Sequence, residues 1–271
     1  MTHKPVTLSV LVDGIAKGAR LAIPADYAGV ALSATLEIIR QGIGGLQLVT
    51  APTSGLQADL LIGAGHVNSI ETAGVSLGEY GMAERFRAAL AAGQIAIKDS
   101  TCPALHAAFQ AAEKGIPFLP LRGILGTDLL ANRPDWKVIQ NPFAVAGDPI
   151  VLIPAIRPDV TLFHAAQADS AGNVWIGTRR ELVTLAHASA RTLVTVEELH
   201  PGNLLDDPLT APGTLPHLYV HRVAVVPGGT WPLPLQGRVP ADEGELTRYA
   251  EASLSPAAFA SLVEEWLDAR S

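Results

Sequence analysis

The only cysteine of the chain, Cys102, follows an expected strand and precedes an expected helix. The strand is Ile95–Lys98, and Pro103 favours a helix that starts beside the cysteine. At a helix start, free backbone N–H groups and the positive end of the helix dipole stabilise a thiolate. Open α/β sheets also bind ligands at the ends of their parallel strands. Cys102 is therefore either a reactive thiol in a site or a buried structural cysteine.

Arg122 is a second candidate, because it follows the apolar segment Ile116–Leu119 and precedes the glycines Gly123 and Gly126. A guanidinium at a strand end can bind a carboxylate or a phosphate through two parallel hydrogen bonds. An exposed, hydrated arginine is the alternative. The residues alone leave both interpretations open.

Two other acidic features have simpler explanations than catalysis. The segment Asp169–Asn173 is typical of a tight turn, with aspartate and glycine in turn-favoured positions. Glu197 and Glu198 end an expected strand. Because adjacent strand residues point to opposite faces, these two carboxylates cannot serve one site as an acid–base pair.

Common catalytic motifs do not occur in this sequence. The patterns G-x-x-x-x-G-K-[ST], G-x-G-x-x-G, H-E-x-x-H and G-x-S-x-G are all missing. His217 and His221 are four residues apart, but they lie in a segment that we expect to be extended, which argues against metal ligation. We predict no metal site and no covalently bound cofactor.

These candidates need a scaffold of strands that alternate with helices. Strands are predicted at 21–24, 46–50, 69–73, 95–98, 151–153, 160–164, 192–196 and 220–226, and the short apolar run 60–63 is grouped with them. Helices are predicted at 30–41, 84–92, 104–114 and 255–269. This alternation implies an α/β fold, an open, mostly parallel sheet with helices on both faces. The segment 201–240 is rich in proline and glycine and is expected to be a lid, an interface arm or an irregular surface connection.

Composition narrows the class of protein. The 271 residues are 48% hydrophobic and 17% charged, which fits a single α/β domain over residues 1–271. The net charge of −7 argues against nucleic-acid and anionic-membrane partners. A lone cysteine cannot form an intramolecular disulfide, no 18 apolar residues run together, and Met1–Pro5 lacks a signal-peptide pattern. We therefore predict a cytoplasmic protein.

A series of short strings runs from about Gly42 to about Tyr249. It includes GLQADLLIGAG at 55–65, GEYG at 78–81, GIPFLPLR at 115–122, GTDLL at 126–130, NPF at 141–143, VTVEE at 194–198 and PGG at 227–229. In this order the strings resemble the α (first) subunit of family I coenzyme A transferases of the glutaconate CoA-transferase type. The resemblance extends to the related steroid-ring-opening CoA hydrolases.

The resemblance implies a protein that works with a partner. Members of this family consist of two related α/β halves with the active site at their interface. The glutamate that forms a glutamyl-CoA thioester belongs to the second half, which also holds most of the coenzyme A. The chain is thus expected to be an α-type subunit that works with a β-type partner on an acyl-CoA and a small carboxylic acid, with coenzyme A as a substrate.

The resemblance also implies site residues. Cys102 matches a position where transferases carry an active-site amide and the ring-opening hydrolases a catalytic glutamate, and Arg122 matches an active-site arginine of those hydrolases. The cysteine is either a pocket wall or a nucleophile. The expected catalytic pair is thus Cys102 and Arg122, and the expected substrate-binding residues are Gly29, Ser54, Gly123, Gly126 and Thr127.

Two departures from the family pattern concern expected site positions. The loop that is typically Gly-Gly-Phe-Gly is Ala25–Gly29 here, and the string Gly-Ala-His-Pro is Gly229–Pro232, without its histidine. The substrate, or even the reaction, is therefore expected to differ from glutaconate transfer. One alternative is a subunit of a CoA-thioester hydrolase or a ring-opening C–C hydrolase. Another is a non-catalytic scaffold or a protein that binds an acidic metabolite.

Overall fold

Residues 4–270, which the computed structural model describes, form twelve strands and eight α-helices. The strands are β1 Arg20–Pro24, β2 Leu46–Ala51, β3 Val67–Thr72, β4 Ala96–Asp99, β5 Phe118–Leu121, β6 Lys137–Gln140, β7 Pro149–Pro154, β8 Val160–Asp169, β9 Val174–Trp175, β10 Arg191–His200, β11 Thr214–Leu215 and β12 Arg222–Val225. The helices are α1 Leu8–Val12, α2 Leu32–Arg40, α3 Leu56–Gly63, α4 Glu84–Ala91, α5 Cys102–Glu113, α6 Glu181–Ala188, α7 Glu243–Ala252 and α8 Pro256–Ala269. The prediction drawn from Met1–Pro5 falls largely outside these residues.

Seven parallel strands make up most of the main sheet, in the order β4-β3-β2-β1-β8-β10-β12. β9 and β11 extend the sheet by antiparallel pairing near the carboxyl end of β8. The chain order reverses at β1, which pairs with β2 on one side and β8 on the other. In open α/β sheets, such a reversal leaves a crevice outside the carboxyl ends of the strands. The predicted mostly parallel sheet is confirmed.

Helices cover both faces of the main sheet. Side chains along β1 alternate: Ala22 packs in a cluster with α5 and α6, whereas Leu21 and Ile23 pack in a second cluster with α1 to α4. The helices α7 and α8 lie outside α2 and α3 in a third cluster. Because both faces are buried, the central strands are almost continuously apolar.

A separate antiparallel sheet, in the order β5-β7-β6, packs beside α5. Residues 151–153, predicted as a strand of the mostly parallel sheet, belong to its middle strand. The connection from β6 to β7 spans only residues 141–148. Parallel neighbours need a crossover of about a dozen residues or more, so this short connection permits only antiparallel pairing.

The assignment of Leu60–Gly63 to a strand is wrong, because these residues end the helix α3. Periodicity cannot separate a short apolar strand from a helix that is buried all round. Residues Leu56 to Ile62 are all buried, since the main sheet covers one side of α3 and the pair α7 and α8 covers another.

The C-terminal part of the chain follows the sequence closely. The segment 201–240 contains only the short strands β11 and β12 and brief turns. Helix α8 begins after Ser255, whose hydroxyl accepts the N–H of Ala258, as predicted. None of the helices between residues 4 and 270 has the length and apolar content that a bilayer crossing requires. The single domain over residues 1–271 stays a prediction.

Candidate functional site

Loops at the carboxyl ends of β1, β2 and β3 surround the larger of two cavities at this edge of the sheet. Its volume is about 570 Å³, and the segment from Leu233 to Tyr249 closes it from the C-terminal side. Its walls are mainly apolar and include Leu56, Val75, Leu77, Leu233, Leu246 and Tyr249. Small-molecule sites have this size and this apolar character.

Asp26 joins two of the loops that line this cavity. Its Oδ1 accepts the N–H of Gly55 at 3.0 Å, and its Oδ2 accepts the N–H of Leu56 at 2.9 Å. The carboxylate therefore satisfies donors at the start of α3, where the helix dipole favours negative charge. Burial outweighs these hydrogen bonds and raises the pKa of Asp26 to about 6.

A second buried carboxylate, Asp59, lies on α3 behind the cavity wall. Its Oδ1 accepts the N–H of Phe86 at 2.7 Å, and its Oδ2 accepts the hydroxyl of Tyr249 at 2.9 Å. Burial again raises the pKa of this carboxyl to about 6, against the effect of both hydrogen bonds. Asp59 thus fixes α4 and α7 to α3, and the ring of Tyr249 becomes part of the cavity wall.

Ser54, one of the expected substrate-binding residues, lies on the wall of this cavity. The residue is only 4% exposed, and its hydroxyl oxygen has no hydrogen-bond partner among residues 4–270. A buried polar group without a partner costs about 1–3 kcal/mol. Such a group points to a function or to a partner that binds there.

Gly29 lines a smaller cavity of about 220 Å³ at the reversal point between β1 and β8. Its carbonyl accepts the N–H of His164 at 2.7 Å. The fold alone explains this glycine, because its φ is +83° and a Cβ would lie 2.1 Å from the carbonyl oxygen of His164. Tyr27 lines both cavities and separates Gly29 from Ser54 along the chain.

The buried imidazole of His164 connects two further strands. Its Nδ1 lies 2.8 Å from Thr195 Oγ1, and its Nε2 lies 2.7 Å from Glu197 Oε1. Glu197 Oε2 accepts the N–H of Gly228 at 2.8 Å. Burial opposes ionisation of Glu197, but these hydrogen bonds prevail and lower its pKa. Glu198 points away and contacts Gln167 instead, as expected for adjacent strand residues.

Cys102 is the first residue of α5 and is exposed. Thr101 is the N-cap, and its hydroxyl accepts the N–H of Ala104 at 3.3 Å. Pro103 has no N–H, and the N–H of Leu105 is bonded to the carbonyl of Thr101. Among the described residues, only the N–H of Cys102 itself is left without a partner in this turn. The helix end therefore offers little direct hydrogen bonding to a thiolate, and the expectation of a buried structural cysteine is wrong.

Arg122 lies at the end of β5 and binds a carboxylate of its own chain. Its Nε and Nη2 donate to the two carboxylate oxygens of Asp148 at 2.8 and 2.6 Å. Asn141 also donates to Asp148, at 2.6 Å. The hydrogen bonds from Arg122 and Asn141 lower the pKa of Asp148 to about 2. The guanidinium is exposed but paired, so both sequence interpretations were incomplete.

The loop that contains Gly123, Gly126 and Thr127 lies over the start of α5. Its buried residue Ile124 belongs to the same apolar cluster as Ala104 and Leu105 of that helix. The Thr127 hydroxyl donates to the Ile124 carbonyl at 2.8 Å, so it closes the turn of its own loop. The loop and Cys102 therefore share one end of α5, whereas Ser54 and Gly29 line two cavities nearer β1.

Sequence reasoning missed the buried residues that organise this edge, namely Asp26, Asp59, Tyr249 and the His164–Glu197 pair. Asp26 had one signal, its place directly after a predicted strand. Tyr249 had none, because it is 190 residues away from its partner Asp59. Between residues 4 and 270, no three His, Cys, Asp or Glu side chains are grouped so as to hold a metal ion.

Comparisons with known proteins agree with this architecture. Residues 12–225 match the Coenzyme A transferase family. The first of the two subunits of 3-oxoadipate CoA-transferase from Pseudomonas knackmussii is 37% identical over 74% of this chain and 70% of that protein. The corresponding subunit of glutaconate CoA-transferase from Acidaminococcus fermentans is 30% identical over 87% of this chain and 78% of that protein. An uncharacterized Archaeoglobus fulgidus protein is 33% identical over 81% of this chain, which spans only 49% of its length.

Solved structures show the same fold with different reported activities. Glutaconate CoA-transferase from Acidaminococcus fermentans superposes with a TM-score of 0.90 over 97% of this chain and 88% of that chain, at 28% identity. The decarboxylase AibA/AibB superposes with a TM-score of 0.87 over 99% of this chain and 100% of that chain, at 27% identity. The IpdA subunit of a cholesterol ring-cleaving hydrolase from Rhodococcus jostii is 26% identical over 85% of this chain and 80% of that protein. From the family match and the two transferase subunits, we conclude that the chain belongs to the coenzyme A transferase family.

Proposed function

We propose that this chain is the α-type subunit of a heteromeric coenzyme A transferase that uses an acyl-CoA and a small carboxylic acid. The observation that carries the proposal is its similarity, over most of its length, to the first subunits of two such enzymes. Because those relatives are first subunits, the proposal includes a β-type partner that carries the nucleophilic glutamate. The predicted cytoplasmic location stays part of the proposal.

The covalent steps take place on the partner. Its glutamate carboxylate attacks the thioester carbonyl, the C–S bond breaks, and an acyl anhydride and free CoA thiolate result. The thiolate then attacks the glutamyl carbonyl of the anhydride, which releases the donor acid and leaves glutamyl-CoA. The acceptor carboxylate reverses these two steps and leaves as a new acyl-CoA. Atoms and charge balance without an added cofactor.

This chain contributes the wall that faces the reacting acyl group. Cys102 at the exposed start of α5 supplies a small, weakly polar side chain, and Gly123, Gly126 and Thr127 shape the pocket beside it. The scarcity of free N–H groups around Cys102 supports its role as a wall rather than a nucleophile. Arg122 binds the substrate carboxylate when that carboxylate replaces Asp148 on the guanidinium.

Other reactions on the same fold are the competing proposals. Relatives include a subunit of a ring-cleaving hydrolase, together with a decarboxylase. A non-catalytic scaffold or an acidic-metabolite-binding protein is the remaining alternative, and it is supported by the altered loop Ala25–Gly29. The exposed carboxylate-binding Arg122 favours an anionic substrate in either class of protein.

The experiment combines this chain with a β-type subunit from the same genome. Acetyl-CoA is the donor, and glutaconate or 3-oxoadipate is the acceptor. Transfer predicts that the acceptor acquires CoA and that little free CoA forms without it. Release of CoA without an acceptor would favour hydrolysis, and release of carbon dioxide would favour decarboxylation. Unchanged acetyl-CoA in every mixture would favour the scaffold alternative.

A further inference from the structure

The cavity of about 570 Å³ lies within the size range of small-molecule sites, roughly 300–1,000 Å³. The ends of three parallel strands form its base, and the segment that leads into α7 covers it. Its aliphatic walls, such as Val75, Leu77 and Leu246, favour an apolar occupant over water.

One polar group on this wall is not used by the protein. The hydroxyls of Ser54, Thr192 and Thr230 are all buried without a partner, but of these three only Ser54 lines the cavity. The neighbouring polar groups are already occupied. Both oxygens of Asp26 accept backbone N–H groups, and the hydroxyl of Tyr249 donates to Asp59. A hydrogen bond to Ser54 must therefore come from an occupant of the cavity.

The charges around the cavity restrict that occupant further. Asp26 and Glu79 lie on its wall, and no lysine or arginine is among the described residues that line it. Carboxylates and phosphates would therefore meet like charge without compensation. A cation is not required either, because the start of α3 already compensates Asp26. The chemistry that fits is neutral.

We propose that this cavity binds a neutral, apolar molecule with one hydrogen-bonding oxygen, such as a ketone, an ester or an alcohol, and that this oxygen bonds to Ser54 Oγ. The site differs from the end of α5 where Cys102 and Arg122 lie. Binding requires neither coenzyme A nor a partner subunit, so the inference stands or falls separately from the proposed transfer reaction.

The test uses two probes of equal chain length, 2-octanone and octanoate, and isothermal titration calorimetry on the full chain. At about pH 8, above the pKa of Asp26, 2-octanone is expected to bind and octanoate is not. Ser54→Ala is expected to weaken ketone binding several-fold, because it removes the hydroxyl and leaves the cavity open. Ala241→Phe, on the partly exposed cavity wall, is expected to abolish binding by filling the space.

Thr230→Val is the matched control, because it removes a buried, unpartnered hydroxyl at a residue that does not line this cavity. It is expected to leave ketone binding unchanged. A thermal unfolding scan of the original chain, with and without 2-octanone, gives a measurement that needs no variant, and the ketone is expected to raise Tm. Failure of 2-octanone to bind, equal binding of octanoate, or equal ketone binding by Ser54→Ala would each overturn the proposal.

Discussion

The backbone of Gly29 lies directly against that of His164. Its carbonyl accepts the His164 N–H at 2.7 Å, and a Cβ on Gly29 would lie 2.1 Å from the His164 carbonyl oxygen. This contact joins the loop after β1 to the middle of β8. The reversal point of the sheet therefore depends on a residue without a side chain.

Gly29→Ala is expected to lower the free energy of unfolding by about 3 kcal/mol or more, because the new methyl group collides with fixed backbone at a positive φ. Gly42→Ala is the control. Gly42 has a φ of +66°, but nothing lies within 4 Å of the position that a methyl group would take there, so only the backbone strain of about 1 kcal/mol applies. Urea unfolding measures both variants. Equal losses would show that the contact with His164 is unimportant.

Stability is expected to fall as the pH rises from about 4 to about 6. Burial raises the pKa of Asp26 from 3.8 to about 6, so within this range the folded chain retains a proton that the unfolded chain has released. Asp59 behaves alike. Each group accounts for a loss on the order of 3 kcal/mol that is complete above pH 6.

Asp26→Asn tests this pH dependence, because it removes one of the two ionising groups. Urea unfolding at about pH 4 and about pH 7.5 should show a smaller loss of stability in the variant than in the original chain. An identical loss in both proteins would mean that Asp26 does not titrate as its burial implies.

Cys102→Ser is expected to keep kcat/KM of the two-subunit enzyme within a few-fold of the original value. The exposed thiol lies at a helix start with a single free N–H group, which suits a wall better than a nucleophile. The replacement preserves the size of the side chain. A loss of about 10⁴-fold, as expected on removal of a nucleophile, would contradict the role as a wall.

Arg122→Ala is expected to lower kcat/KM at least tenfold, with KM rising more than kcat falls, because a carboxylate-binding group is lost. The free energy of unfolding should change little, since solvent screens an exposed ion pair. Asp148→Asn is the matched control. It weakens the same ion pair, but it leaves the guanidinium available for substrate. Equal losses of activity in both variants would assign Arg122 a structural role only.

The sequence predicted the main sheet well, because its buried strands are short, apolar and separated by helices with clear end signals. It placed Cys102 at a helix start for the same reason, since Pro103 marks the first turn. It failed at Leu60–Gly63, where burial on all sides removes the periodicity that distinguishes a helix.

The interactions within the candidate site were harder to predict. The pairs Arg122–Asp148 and Asp59–Tyr249 join residues that are 26 and 190 positions apart, and no local pattern encodes such contacts. The unpartnered hydroxyl of Ser54 was also hidden, because only the packed structure shows which polar groups are satisfied. The family resemblance named several site residues, but it did not show what they contact.

The most direct test of the proposed function is to locate the thioester. The chain is mixed with its β-type partner and an acyl-CoA without an acceptor, and intact-mass spectrometry then measures both proteins. We expect CoA to add, with loss of water, to a glutamate of the β-type partner, while this chain keeps its original mass. A CoA or acyl adduct on this chain, at Cys102 or elsewhere, would contradict the proposed function.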